Sequence, residues 1–143
     1  MSAEDPSAVL FVCTFNRVRS PMAAALARLA GVCAHSCGLA AGEEVDPLAA
    51  AVMAEVGADL SDHAPAGLEQ MLEGRRFLHI VALSGEAWSR LQLMPELGAA
   101  HWPIPDPTLG EGSREARLEA YRLTRQALQK QISERLFPAL RGP

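Results

Sequence analysis

Cys13 and Arg19 are the residues whose types and spacing most directly suggest chemistry, since five residues separate them. The apolar run 8–12 precedes the cysteine, and Ser20 and Pro21 follow the arginine. A strand ending in cysteine, a short loop closing on arginine and a helix beginning at Ser-Pro would gather backbone N–H groups and a guanidinium around a thiol. Such a loop binds a phosphate-like anion above a nucleophile. The spacing therefore predicts phosphoryl transfer through a cysteine.

A cysteine attacks phosphorus only as the thiolate, and three features of this stretch favour the charged form of Cys13. The loop leads into a helix N-terminus, whose free N–H groups and dipole attract negative charge. Arg19 supplies a permanent positive charge. The hydroxyl of Ser20 can donate a hydrogen bond to the sulfur.

The loop residues between the cysteine and the helix are predicted to hold the phosphate. Successive backbone N–H groups bind its oxygens, while a guanidinium clamps two of them in a geometry that lysine cannot reproduce. Asn16 suits a left-handed backbone position, and its amide can hold the loop in place. The predicted phosphate-binding residues are Thr14, Phe15, Asn16, Arg17, Val18, Arg19 and Ser20.

The elements around this loop follow from the hydrophobic pattern and from helix-start signals. The predicted strands are 8–12, 33–37, 77–83 and 99–104, and the predicted helices are 22–30, 48–56, 68–72, 84–93 and 113–136. The predicted helix N-caps are Ser20, Asp46, Ser84 and Ser113. This alternation predicts an α/β fold, a single-domain, doubly wound three-layer sandwich with a four-stranded parallel sheet flanked by helices. Functional loops then lie at the carboxyl ends of the strands, where Cys13 and the loop after residue 104 both fall.

Length and composition limit the classes of function. The chain has 143 residues, 49% of them apolar and 21% charged, which predicts one globular domain over 1–143 with residues 1–7 flexible. A net charge of −4 without a basic patch argues against nucleic-acid binding. The acidic start does not read as a signal peptide, and no apolar run approaches the roughly 20 residues that span a bilayer. We predict a cytoplasmic protein without a membrane partner, and the oligomeric state is left open.

Cysteine and histidine usage predicts neither a disulfide framework nor a metal site. The cysteines are Cys13, Cys33 and Cys37, an odd number, and the latter two suit small buried apolar positions. No His and Cys cluster has the spacing of zinc ligands. The predicted chemistry requires no cofactor.

The stretch Cys13–Pro21 resembles the motif of the low-molecular-weight protein tyrosine phosphatase family and of the related arsenate reductases. Ser36-Cys37-Gly38, the segment 57–63 and Asp106-Pro107 also resemble family segments. The resemblance implies that Cys13 attacks phosphorus to form a cysteinyl-phosphate. It further implies that Asp106 protonates the leaving oxygen and later deprotonates the hydrolytic water. The implied substrates are phosphorylated proteins or small phosphomonoesters, and His63 is implied to brace the loop.

The sequence departs from the family pattern at four places. Phe15 stands where glycine is usual, so either the backbone differs there or the ring lines the mouth of the pocket. Val18 replaces a second cysteine that can protect the nucleophile. Thr108-Leu109 stands where eukaryotic-type phosphatases carry tyrosines that sandwich an aromatic substrate. Arg17 adds a charge, which is either a solvated side chain or a contact for an acidic or phosphorylated partner.

Two alternative functions remain from the sequence. Arsenate would fit the same loop, but 77–95 contains no cysteine, so a reductase would have to use an external thiol with Cys13. A catalytically weak anion-binding module would arise if Phe15 blocked attack. The presence of a cysteine, an arginine and an aspartate together favours the enzyme, because binding alone requires neither a thiol nor an acid.

Overall fold

A four-stranded parallel sheet lies at the centre of the computed structural model, which describes residues 7–140. The strands are β1 (Val9–Cys13), β2 (Ala34–Gly38), β3 (His79–Ala82) and β4 (Ala100–His101), in the order β2-β1-β3-β4. Every residue of β1 is buried, as expected for a central strand covered on both faces. The predicted doubly wound α/β fold is confirmed. The single-domain organisation of 1–143 stays a prediction, and the predicted flexible segment 1–7 lies, apart from Ser7, outside the described residues.

Helices cover both faces of the sheet. They are α1 (Arg19–Leu29), α2 (Pro47–Ala54), α3 (Leu68–Leu72), α4 (Gly85–Leu91), α5 (Arg114–Gln131) and α6 (Phe137–Leu140), with a π-helical turn at Ile132–Leu136 between the last two. Side chains alternate along β1, so that Val9, Phe11 and Cys13 face α1, α2 and α5. Leu10 and Val12 face α3 and α4. This alternation places the sulfur of Cys13 on the α1 side of the sheet.

The long C-terminal helix follows the predicted pattern, with one irregularity. The predicted core face is buried, and it consists of Leu118, Tyr121, Leu128, Ile132 and Leu136. The regular α-helix ends at Gln131, however, and the chain continues through the π-helical turn. No helix within residues 7–140 has the length and apolar character needed to cross a bilayer. The cytoplasmic location stays a prediction.

Two sequence predictions were wrong in detail. The fourth strand is only two residues long instead of six, because Pro103 and Pro105 lack the N–H groups that would extend the ladder. Ser20 is not the N-cap of α1, since the helix begins at Arg19 and Val18 occupies the cap position. The other three predicted caps are confirmed, since the side chains of Asp46, Ser84 and Ser113 each accept a hydrogen bond from a first-turn N–H.

Candidate active site

The Cys13 loop joins β1 to α1 and forms the floor of a cavity of about 350 Å³ at the carboxyl edge of the sheet. Cys13 itself is only 3% exposed. Of the predicted site residues, the structure brings seven to this cavity: Cys13, Thr14, Phe15, Arg17, Val18, Arg19 and Asp106. The two remaining predicted residues, Asn16 and Ser20, are completely buried behind the loop.

Asn16 fixes the shape of the loop from behind. Its backbone is left-handed with φ of 58°, which confirms the prediction for this position. The amide nitrogen donates to the hydroxyls of Ser20 at 2.8 Å and Ser36 at 2.9 Å, and the amide oxygen accepts from the N–H of Ala66 at 2.9 Å. Because the Asn16 side chain is completely buried and makes three hydrogen bonds, it holds one loop conformation.

His63 also braces this turn, as the resemblance implied. Its Nε2 lies 2.9 Å from the carbonyl oxygen of Asn16, and since a carbonyl only accepts, Nε2 carries the proton and donates. Burial lowers the pKa of His63, although the hydrogen bond to Asn16 opposes that shift. The imidazole is therefore neutral at neutral pH, with its proton directed at the loop.

Ser20 connects the loop network to the sulfur. Its Oγ lies 2.9 Å from Sγ of Cys13 and 3.1 Å from the carbonyl oxygen of Cys37. One hydroxyl proton cannot serve both acceptors at once. With a neutral thiol, the S–H donates to Ser20 and Ser20 donates to the carbonyl; with a thiolate, the Ser20 hydroxyl turns to the sulfur. The contact is compatible with either charge state of Cys13.

Arg19 lies between the Cys13 loop and the loop that follows β4. Its Nη1 donates to the carbonyl oxygen of Ile104 at 2.9 Å, and its Nη2 lies 3.9 Å from Oδ2 of Asp106. The side chain is only 12% exposed, so its position is well defined by these neighbours. The remaining N–H groups of the guanidinium are available to an anion in the cavity.

The two carboxylate oxygens of Asp106 have different surroundings. Oδ1 accepts from the backbone N–H of Thr108 at 2.9 Å and from the Thr108 hydroxyl at 2.7 Å. Oδ2 is the atom that approaches Arg19. Asp106 also caps the short 3-10 turn Pro107–Leu109, so the same residue both stabilises this turn and lines the cavity.

The chain is similar to known proteins over almost its whole length. Residues 8–141 match the family model described as low molecular weight phosphotyrosine protein phosphatase. The chain belongs to this family. It is 30% identical over 138 residues to an arsenate reductase of Shouchella clausii, an alignment covering 88% of this chain and 92% of the relative.

Solved structures of family relatives show the same fold. An arsenate reductase in its phosphate binding state is 27% identical with a TM-score of 0.76, covering 94% of this chain and 98% of the other. The YwlE arginine phosphatase from Geobacillus stearothermophilus is 30% identical with a TM-score of 0.75, covering 95% of this chain and 94% of the other. Family membership supports a phosphatase enzyme that acts on phosphorylated substrates.

The structure explains the family segment Ser36-Cys37-Gly38. A Cβ on Gly38 would lie 2.5 Å from the carbonyl oxygen of Ala40 and 2.7 Å from the backbone nitrogen of Asn16. Only glycine lets β2 approach the Cys13 loop this closely. Ser36, two residues earlier, supplies the hydroxyl that Asn16 binds.

The departures from the family at Phe15 and Arg17 have definite structural outcomes. Among the described residues other than glycine, only Asn16 has a positive φ, so Phe15 avoids the strained backbone, and its ring lines the cavity. Arg17 is half-buried rather than freely solvated, because its Nε donates to the carbonyl oxygen of Glu44 at 2.7 Å.

Five residues of the cavity were missed by sequence reasoning: Asp46, Glu86, Thr108, Arg117 and Tyr121. Asp46 had a signal, since it was predicted as a helix cap, and its Oδ1 does accept from the N–H of Leu48 at 2.8 Å. Its Oδ2 accepts from the Tyr121 hydroxyl at 2.9 Å. Burial raises the pKa of Tyr121 above its ordinary value, and the bond to the Asp46 carboxylate adds to the shift. Tyr121 is therefore a neutral donor.

Within residues 7–140, no group of three or more His, Cys, Asp or Glu side chains is arranged to hold a metal ion.

Proposed function

We propose that this protein is a cysteine-dependent phosphomonoester hydrolase of the protein tyrosine phosphatase type, with Cys13 as nucleophile, Arg19 as phosphate clamp and Asp106 as general acid and base. The observation that supports it most strongly is the position of Arg19, between the loop of the thiol and the carboxylate of Asp106. A nucleophile, an anion clamp and a proton donor thus meet at one cavity.

The first step transfers the phosphoryl group to sulfur. Loop N–H groups and the Arg19 guanidinium hold the equatorial oxygens, where the transition state spreads its charge. Sγ of Cys13 bonds to phosphorus as the bond from phosphorus to the leaving oxygen breaks. Asp106, protonated at this stage, gives its proton to that oxygen. The bound dianion takes up the positive charge of Arg19, which frees Asp106 from its ion pair with that residue.

The second step regenerates the enzyme. The Asp106 carboxylate removes a proton from water, and the water oxygen bonds to phosphorus as the phosphorus–sulfur bond breaks. The departing sulfur leaves as a thiolate, to which the Ser20 hydroxyl, 2.9 Å away, can donate. Inorganic phosphate is the product, and Asp106 is protonated for the next cycle.

Hydrolysis of an aryl phosphate by the purified protein, without added metal, tests the proposal. Cys13→Ser is expected to abolish turnover, because the serine hydroxyl is a far weaker nucleophile than the thiolate. Cys33→Ser is the matched control, since Cys33 does not line the cavity. Full activity in Cys13→Ser would rule out the mechanism.

Arsenate reduction with an external thiol is the second candidate, favoured by the similarity to arsenate reductases. Arsenate would bond to Cys13 with loss of water. The external thiol would then attack the Cys13 sulfur, giving a mixed disulfide and arsenite, and a second thiol would release Cys13. Parallel assays on wild type and Cys13→Ser separate the candidates. They should include a phosphoarginine substrate, because one similar structure is an arginine phosphatase.

A further inference from the structure

Phe15 has an exposed aromatic ring at the cavity that contains Cys13. The side chain is 55% exposed and lines the same cavity as Cys13 and Arg19. It belongs to neither of the two apolar core clusters. Contact with water leaves the ring without the stabilisation that burial of apolar surface provides, so a ligand that covered it would gain that free energy.

The backbone beneath the ring is fixed. The carbonyl oxygen of Phe15 accepts from the N–H of Gly42 at 2.9 Å. On the other side, Gly38 packs so closely that a Cβ there would lie 2.7 Å from the carbonyl carbon of Phe15. The ring is thus presented from a defined position, and little backbone entropy remains to be lost when a ligand binds.

The other aromatic side chains near the site are already engaged. Trp102 is buried and packs against Phe11, with ring centroids 5.8 Å apart. Trp88 stacks on His101 at 5.1 Å. Tyr121 lines the cavity but is only 1% exposed, and its hydroxyl binds Asp46. The loop of Asp106 has no aromatic residue between Pro107 and Ser113, and Thr108 stands where eukaryotic-type phosphatases have a tyrosine.

We infer that Phe15 selects the substrate, by packing its ring against an aromatic group attached to the phosphoryl group in the Cys13 cavity. The inference rests on the proposed function, and it names aromatic phosphomonoesters as the preferred class. In this chain the Cys13 loop would supply the aromatic contact, since the loop after Asp106 has no aromatic residue. The glycine position of the motif thereby becomes a specificity position.

Binding of two phosphonates that differ only by a phenyl ring tests this without turnover. Affinities of benzylphosphonate, methylphosphonate and inorganic phosphate are measured by calorimetry on wild type, Phe15→Ala, Phe15→Tyr and Leu78→Ala. Leu78 is the control, because it is 51% exposed and immediately precedes β3, at the opposite edge of the sheet.

Phe15→Ala is expected to weaken benzylphosphonate binding about five- to tenfold, the size of one aromatic pair, and to change the other two affinities less than about twofold. Phe15→Tyr should restore the preference and Leu78→Ala should keep it. Equal weakening of all three ligands would overturn the inference, because it would indicate a structural role. Tighter binding of all three, with faster turnover, would show that the ring obstructs the cavity and would overturn it as well.

The outcomes also separate this inference from the proposed function. A wild-type protein that prefers benzylphosphonate through Phe15 yet hydrolyses no aryl phosphate would refute the hydrolase and leave the inference standing. A protein that hydrolyses aryl phosphates through Cys13, with a preference independent of Phe15, would refute only the inference. If Phe15→Ala does not fold, Phe15→Leu provides the same comparison.

Discussion

Arg19 and Asp106 face each other across the cavity, with Nη2 of the guanidinium 3.9 Å from Oδ2 of the carboxylate. This is a long ion pair at a partly exposed site, so it adds little to stability. At this distance the Arg19 guanidinium can instead exchange the Asp106 carboxylate for a bound anion. A phosphate dianion entering the cavity can draw the guanidinium to itself and release the carboxyl group to carry a proton.

Arg19→Lys is expected to weaken binding of inorganic phosphate roughly tenfold to a hundredfold although the charge is kept. Lysine loses both the planar fork and the hydrogen bond to the carbonyl oxygen of Ile104, and charge-assisted bonds contribute about 1.5–3 kcal/mol. Calorimetric titration with phosphate measures the change. Arg90→Lys serves as the control, since Arg90 pairs with Glu69 on the surface. Unchanged phosphate affinity in Arg19→Lys would exclude a bidentate clamp.

Asp106→Ala is expected to slow turnover by about 10²–10⁴-fold for leaving groups of high pKa, and much less for leaving groups that depart without a proton. A series of aryl phosphates of graded leaving-group pKa measures this dependence. Asp59→Ala is a matched control, because Asp59 likewise accepts from the N–H two residues further on, at 2.8 Å, but lies outside the cavity. Equal losses for all leaving groups would remove Asp106 from the acid role.

Sequence patterns were sufficient for those features of the site that depend on local chemistry or on strand direction. Asn16 was predicted in a left-handed position because few other residues tolerate it. The loops of Cys13 and Asp106 were predicted to meet because parallel strands end at one edge. Ser20 was predicted in two roles, as a helix cap and as a hydrogen-bond partner of the sulfur. The structure keeps only the contact with the sulfur, because Ser-Pro alone does not show which role the hydroxyl takes.

Contacts between distant segments could not be predicted in the same way. Asp46 and Tyr121 are 75 residues apart, and no local pattern indicates that the helix cap would accept a hydrogen bond from α5. Arg117, one helical turn before Tyr121, also lines the cavity, and its place there could not be predicted from local sequence either. The short β4 shows the converse case, in which an apolar run suggested a longer strand than its prolines permit.

The free energy of unfolding is expected to decrease at acid pH as Glu55 becomes protonated. Hydrogen bonds from Arg122 and Arg125 lower the pKa of Glu55 from 4.5 to about 2, and so join the end of α2 to α5. Because the folded state holds the carboxylate more strongly, this stabilisation is complete above pH 4.5 and is lost as the pH falls from there to about 2.

Urea unfolding of wild type and Glu55→Gln between pH 7 and pH 2 measures this contribution to the free energy of unfolding. The variant should be less stable at pH 7, and the difference should shrink as the pH falls from 4.5 to about 2. Glu69→Gln is the control and should change stability little at pH 7, since Glu69 is 90% exposed and its ion pair with Arg90 is 3.5 Å long. A constant difference between wild type and Glu55→Gln at all pH values would contradict the assignment.

Gly38→Ala is expected to damage the site more than the fold. The added Cβ would lie 2.5 Å from the carbonyl oxygen of Ala40 and 2.7 Å from the nitrogen of Asn16, so the backbone of the Cys13 loop must shift. Overpacking of this kind costs about 1–3 kcal/mol, and the shift falls on the atoms that would bind phosphate. We expect kcat/KM for an aryl phosphate to fall more than about tenfold while the chain remains folded. Gly67→Ala, where the Cβ meets nothing within 4 Å, should leave both activity and unfolding unchanged. Wild-type kinetics in Gly38→Ala would show that the loop does not depend on this contact.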